Sequence, residues 1–135
     1  MWSYSRAGVD IRKIRKIQND IGKLVSTTHS AVNNDWSVWS GFGHYAGLIE
    51  FQSKVFALHT DGVGTKIIIA QLMKKFDTVG IDCVAMNVND VICVGAMPVG
   101  FLDYIALKKP DSYLVSELVK GLAKGAKQSN VAIVG

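Results

Sequence analysis

The stretch Gly47-Leu48-Ile49-Glu50-Phe51-Gln52-Ser53-Lys54-Val55-Phe56-Ala57-Leu58-His59-Thr60-Asp61-Gly62-Val63-Gly64-Thr65-Lys66 decides how the rest of the chain is read. Residues 47–51 and 54–60 are apolar, β-prone runs on either side of Gln52-Ser53, and this pattern predicts two strands. The second run ends at an acid, two glycines follow, and a helical pattern runs from about Thr65 to Lys75. Glycines at such a turn let backbone N–H groups approach an anion, and a helix N-terminus favours one. Asp61 at the strand tip is placed to hold Mg²⁺, and Lys66 to reach a phosphate. The order differs from the Gly-Lys-Ser/Thr of a P-loop. An ordinary glycine turn with an Asp cap is the other reading, and the pattern alone leaves both open.

Outward from this stretch, the period changes again. Ile11, Ile14, Ile17, Ile21, Leu24 and Val25 form one helical stripe over residues 10–25, with Asp10 as N-cap and a basic far face. Residues 26–40, with Asn33-Asn34-Asp35 as a turn, read as a loop. Ile81, Val84, Ala85, Val88 and Ile92 mark a second helix that ends at Gly95. Residues 98–107 read as a long strand, Asp111 caps a helix reaching Gln128, and Val131 to Val134 start a last strand. In that last helix Leu114, Val115, Leu118 and Leu122 face inward, and Lys120, Lys124 and Lys127 outward. A hairpin combined with βαβ-like crossovers predicts an α/β (α+β) fold: a mixed β-sheet with helices on one face. The 135 residues suffice for one domain with a real core. The stop at Gly135, directly after an apolar strand, reads as a cut through a longer domain.

Composition narrows the function classes. Apolar residues make up 49% of the chain and charged residues 19%, the reverse of a disordered chain. The net charge of +4 permits anionic ligands without demanding nucleic acid, and no stacking aromatics interleave with the basic face. The uncharged run from Val91 to Leu102 is interrupted by glycines and Pro98 and is far shorter than the ~20 residues of a membrane span. Cys83 and Cys93 match no zinc or redox spacing, and two free thiols suit a reducing cytoplasm.

Asp82, Asn87, Asn89 and Asp90 are the second candidate cluster. At about 100° per residue, Asp82 and Asn89 fall within roughly 20° of each other on the helix. Carboxylates and an amide on one flank suit a hard cation, and this flank lacks the Lys, Arg and Glu of an ordinary solvated face. Gly41-Phe42-Gly43-His44-Tyr45-Ala46-Gly47 has a G-x-G-x-x-A/G spelling, but it leads into a strand where a dinucleotide fingerprint opens a helix. A loop that folds over a ligand and a flexible surface loop are both open readings for it. His29, His44 and His59 have no partner at metal-ligand spacing and read as structural or solvated. Asp103, in an otherwise apolar strand, needs either a partner or a ligand-facing position.

These motifs together resemble one family. Ser3-Tyr4, Ala7-Gly8-Val9-Asp10-Ile11, Gly41-Phe42-Gly43 and Asp61-Gly62-Val63-Gly64-Thr65-Lys66 are similar to the aminoimidazole ribonucleotide synthetases, or phosphoribosylformylglycinamidine cyclo-ligases. The likeness continues through Gly80-Ile81-Asp82-Cys83-Val84-Ala85-Met86-Asn87-Val88-Asn89-Asp90, Gly95-Ala96-Met97-Pro98 and Phe101-Leu102-Asp103-Tyr104, and His44-Tyr45-Ala46 looks archaeal. The resemblance implies ATP-dependent ring closure of formylglycinamidine ribonucleotide, with ATP and Mg²⁺ as cofactors. It implies Asp61, Asp82 and Asp90 as catalytic acids, with Asp61 and Asp90 on the metal. Gly41, Gly43, Gly62, Gly64, Thr65, Lys66 and Asn89 would then contact the nucleotide. A family lysine falls near Gly22-Lys23 but one position off, so Lys23 carries no weight. The architecture implied is an N-terminal domain that joins sheets into a barrel in a homodimer. Family members are more than twice as long, so residues 1–135 are expected to be a truncated N-terminal domain whose C-terminal half is missing. A related superfamily kinase, such as a thiamine phosphate kinase or selenophosphate synthetase, shares the Asn89-Asp90 and Gly95-Ala96 theme. A non-catalytic dimerisation or nucleotide-binding fragment is the other alternative.

Overall fold

A computed structural model describes residue 4, residues 7–33 and residues 35–135; Ser3 and Asn34 lie outside the described residues. The chain divides into two compact units, residues 1–58 and residues 59–135.

The first unit holds helix α1 (Ile11–Ser26), a short 3₁₀ turn (His29–Ala31) and strands β1 (Trp36–Val38), β2 (Gly47–Phe51) and β3 (Lys54–Leu58). Asp10 caps α1 as expected, its carboxylate accepting from the N–H groups of Arg12 and Lys13 at 3.0 and 3.2 Å. The apolar stripe of α1 exists but is not buried: Ile11, Ile14, Ile17 and Ile21 are each more than 40% exposed. The three strands form an antiparallel sheet in the order β1-β2-β3. Gln52 and Ser53 turn the β2–β3 hairpin with positive φ angles of 47° and 64°, the combination a two-residue I′ turn requires. The loop expected over residues 26–40 contains β1. Three residues are too few to show an alternating period, and pairing across the sheet supplies the stabilisation: Trp36 lies opposite Phe51 and stacks on it at 4.5 Å.

The second unit holds α2 (Lys66–Met73), α3 (Asp77–Cys93), β4 (Gly100–Phe101), α4 (Ser112–Gln128) and β5 (Ala132–Ile133). Its core joins Val84 and Val88 of α3, Phe101 of β4, Leu122 of α4 and Val131. Helices α3 and α4 approach backbone to backbone. A Cβ on Gly121 would lie 1.9 Å from the Asp77 carbonyl oxygen, and one on Gly80 2.3 Å from that of Leu118. This contact explains why α3 starts at Asp77, ahead of the stripe that begins at Ile81: Gly80 weakens the helical pattern but is what lets α4 dock. Ile92, counted in that stripe, is exposed. In α4, Asp111 caps the helix through Leu114 N–H at 3.0 Å. Leu122 is buried there, and Lys120, Lys124 and Lys127 are exposed, as their spacing predicts.

The strands pair differently from the expectation of one mixed sheet. Among the described residues they form two, the antiparallel β1-β2-β3 and a parallel β4-β5 pair. The long strand expected over residues 98–107 is regular only at Gly100–Phe101. Its ladder bonds run from the Val99 carbonyl to the Asp103 N–H, which donates to the Gly135 carbonyl at 2.9 Å. A strand needs a partner for its backbone groups, and Gly135, two residues past β5, offers Asp103 its last one. The mixed α+β character stands. No helix among the described residues is long and apolar enough to cross a membrane.

Candidate functional site

Thr60 to Lys66 follows β3 without regular structure and turns into α2 through Gly64, whose φ of +66° favours glycine. Asp61 is held there by Asn87 of α3. The Asp61 N–H donates to Asn87 Oδ1 at 3.0 Å, and Asn87 Nδ2 donates back to the Asp61 carbonyl at 3.3 Å. Asn87 Nδ2 also donates to the Cys83 carbonyl at 2.8 Å, which anchors the amide to its own helix. Asn87 is the buried polar side chain of this unit's described residues, and its amide is satisfied on both sides. The Asp61 carboxylate accepts from the Gly62 N–H at 2.7 Å, which orders the acid at the tip of the turn.

One helical turn after Asn87, Asp90 completes a cluster. Its Oδ2 lies 3.2 Å from His59 Nε2, and one ligand atom from each of His59, Asp61 and Asp90 lies within 4.8 Å of the others. His59 and Asp90 are largely buried and Asp61 is exposed. One imidazole and two carboxylates form a donor set suited to a divalent cation.

The other residues singled out by sequence divide into three groups. Lys66 at the start of α2 pairs with Asp82 of α3, so both belong to the wall beside the turn and neutralise each other in this state. Asn89 is exposed on α3, and Thr65, Gly62 and Gly64 are exposed on the turn. Nothing lies within 4 Å of a Cβ built at Gly62 or Gly64, so packing does not require these glycines to be small. Gly41 and Gly43 belong to the first unit. There the Phe42-Gly43 segment faces Gln18, Gly22, Lys23 and Ser26 of α1 across a cleft of about 770 Å³. A Cβ on Gly22 would meet the Phe42 ring at 3.3 Å, so Gly22 lets this aromatic residue sit close to the helix.

Sequence reasoning misses one participant, His59, and the burial of another, Asn87. His59 was read as structural, yet it stands two residues before Asp61 at a strand end, where side chains i and i+2 share a side. Asn87 belongs to the second candidate cluster with Asp82, Asn89 and Asp90, and the structure buries it one helical turn after the stripe residue Val84. Cys83 itself is half-buried. Burial, with the Asp103 and Asp82 carboxylates nearby, holds its thiol above the usual range, so it is not an activated nucleophile.

A family model described as AIR synthase related protein, N-terminal domain, matches residues 43–135. The chain belongs to that family. Among similar proteins, the phosphoribosylformylglycinamidine cyclo-ligase of Saccharolobus solfataricus is 46% identical over 132 residues, which are 98% of this chain and 39% of the relative. That of Pyrococcus horikoshii is 45% identical over all of this chain and 40% of its own length. The cyclo-ligase of Methanobrevibacter smithii is 44% identical over 135 residues, again all of this chain and 39% of the relative. The chain therefore spans about 40% of the length of the curated relatives it matches. For an AIR synthase related domain, the matched part holds the whole second unit, and with it the turn, Asn87 and the His59–Asp61–Asp90 cluster. The motif resemblance, including its archaeal character, holds across the chain.

Proposed function

We propose that this chain supplies the nucleotide- and metal-binding part of a phosphoribosylformylglycinamidine cyclo-ligase, which closes the imidazole ring of formylglycinamidine ribonucleotide at the expense of ATP. The observation that carries the reading is the pairing of a glycine turn, open to an incoming phosphate, with two acids that converge beside it. The relatives' names support the reaction class, and the donor set of Asp61 and Asp90 fits Mg²⁺. The metal would neutralise phosphate charge. Asp61 and Asp90 would hold it, the turn at Gly62 and Gly64 would leave room for the phosphates, and Lys66 would exchange Asp82 for an anionic oxygen. Asp82 keeps the lysine at the site until then, with Thr65 and Asn89 at the rim. Gly41 and Gly43 would contact the nucleotide as the family resemblance implies, and two chains join their sheets in a homodimer. The relatives extend well beyond the matched 40% of their length, and a corresponding further part would complete the enzyme, which works in the cytoplasm.

Equilibrium dialysis with labelled ATP tests this. Wild-type chain is expected to bind ATP in an Mg²⁺-dependent way. Lys66→Met should weaken binding roughly tenfold or more, the scale of a charge-assisted hydrogen bond. Asp61→Asn should remove most of the Mg²⁺ dependence. ATP binding indifferent to both substitutions would contradict the proposal.

A further inference from the structure

We propose that His59 is the third protein ligand of the metal centre and that its imidazole tunes the centre toward first-row transition ions such as Co²⁺ and Mn²⁺ and away from Mg²⁺. This deepens the reading of Asp61 and Asp90 as metal acids and rests on it.

Three observations carry the inference. First, His59 Nε2 lies 3.2 Å from Asp90 Oδ2, and an imidazole nitrogen lies within 4.8 Å of an oxygen of each carboxylate. Donors bound at about 2.0–2.2 Å to one ion sit roughly 3 Å apart when adjacent. The His59–Asp90 separation already has that value, and only Asp61 must close in. Second, burial separates the three members. The His59 side chain is 12% exposed and that of Asp90 29%, so both are held by their surroundings, while the Asp61 carboxylate is open to solvent. Asn87 fixes the Asp61 backbone and leaves its side chain to complete the site. Third, the donor chemistry is mixed. Two carboxylates alone suit Mg²⁺, a hard ion that takes oxygen ligands and retains several waters. One imidazole nitrogen favours ions further along the Irving–Williams series, where nitrogen ligation adds affinity.

His59 could instead be only the hydrogen-bond partner that aims Asp90, and the experiment separates these roles. Untagged full-length chain is titrated calorimetrically with Co²⁺ and with Mg²⁺, for wild type, His59→Asn and Asp61→Asn. The site's signal is the portion lost in Asp61→Asn, which removes adventitious binding elsewhere from the comparison. Wild type is expected to bind Co²⁺ more tightly than Mg²⁺. His59→Asn should lose Co²⁺ affinity by about tenfold or more, since even an outer-shell partner of a metal is worth 10–100-fold. Its Mg²⁺ affinity should change by less than about threefold. Pulsed EPR of Mn²⁺ on the wild-type chain gives a second readout that needs no variant: an imidazole ¹⁴N coupling is expected. Metal binding that depends on Asp61 but shows neither ¹⁴N coupling nor a Co²⁺ loss in His59→Asn would overturn the role of His59 alone. A wild-type chain that binds neither ion at this site would overturn the metal reading itself.

Discussion

Asn87 shows how one buried amide can organise a site without touching a ligand. It grips both backbone groups of Asp61 from one turn below Asp90 and so sets the distance between two acids that come from different elements. Asn87→Leu keeps the size of the side chain and removes the grip. Mn²⁺ affinity is expected to fall by roughly tenfold, as for outer-shell partners of metals. Val84→Ala, at the fully buried position three residues earlier, is expected to lower the urea midpoint and leave Mn²⁺ affinity unchanged. Equal loss of affinity in both variants would mean that Asn87 acts through stability alone. The acids of this site were legible in the sequence because Asp61 and Asp90 sit in motifs whose spacing carries chemistry. The role of His59 and the burial of Asn87 were not, because they depend on how residues 59–61 lie against α3, a contact 26 residues apart for the Asp61–Asn87 pair.

At the scale of elements, the α3–α4 contact carries the second unit. Gly80 and Gly121 allow the two backbones to meet, and a methyl group at either has no room. Gly121→Ala is expected to cost about 1–3 kcal/mol in urea unfolding, the overpacking penalty, even though alanine is the better helix former. A stability gain would contradict the close crossing. The start of α3 has its own pH signature. Lys75 donates to Asp77 Oδ1 at 2.9 Å, and this bond holds the Asp77 carboxyl below its usual range. A carboxyl lowered in the folded state adds stability above its unfolded value and loses it as pH falls through its folded value. The thermal midpoint of Lys75→Met should therefore lie below wild type at pH 7, and the two should converge near pH 2. A gap that persists in acid would exclude the pair as its source. Helices were legible because caps and stripes are local: Asp10 and Asp111 cap where expected. The strands were less so. β1 and β4 are short segments made regular by partners, and no run of three or two residues announces a partner.

At the scale of the molecule, membership of the AIR synthase related family rests on a match through residues 43–135, and the relatives extend the likeness over the whole chain while being about two and a half times its length. The exposed α1 stripe and the short β4–β5 pair are surfaces and edges that a larger assembly would use. The most direct test of the account is a chimera in which residues 1–135 replace the matching N-terminal part of a full-length archaeal cyclo-ligase. Aminoimidazole ribonucleotide and ADP formation are then measured with ATP, a divalent metal and formylglycinamidine ribonucleotide. Turnover is expected in equal amounts of both products, reduced at least a hundredfold by Asp61→Ala, about 2.7 kcal/mol of transition-state stabilisation. A folded chimera without ring closure, or one whose turnover ignores Asp61, would contradict it.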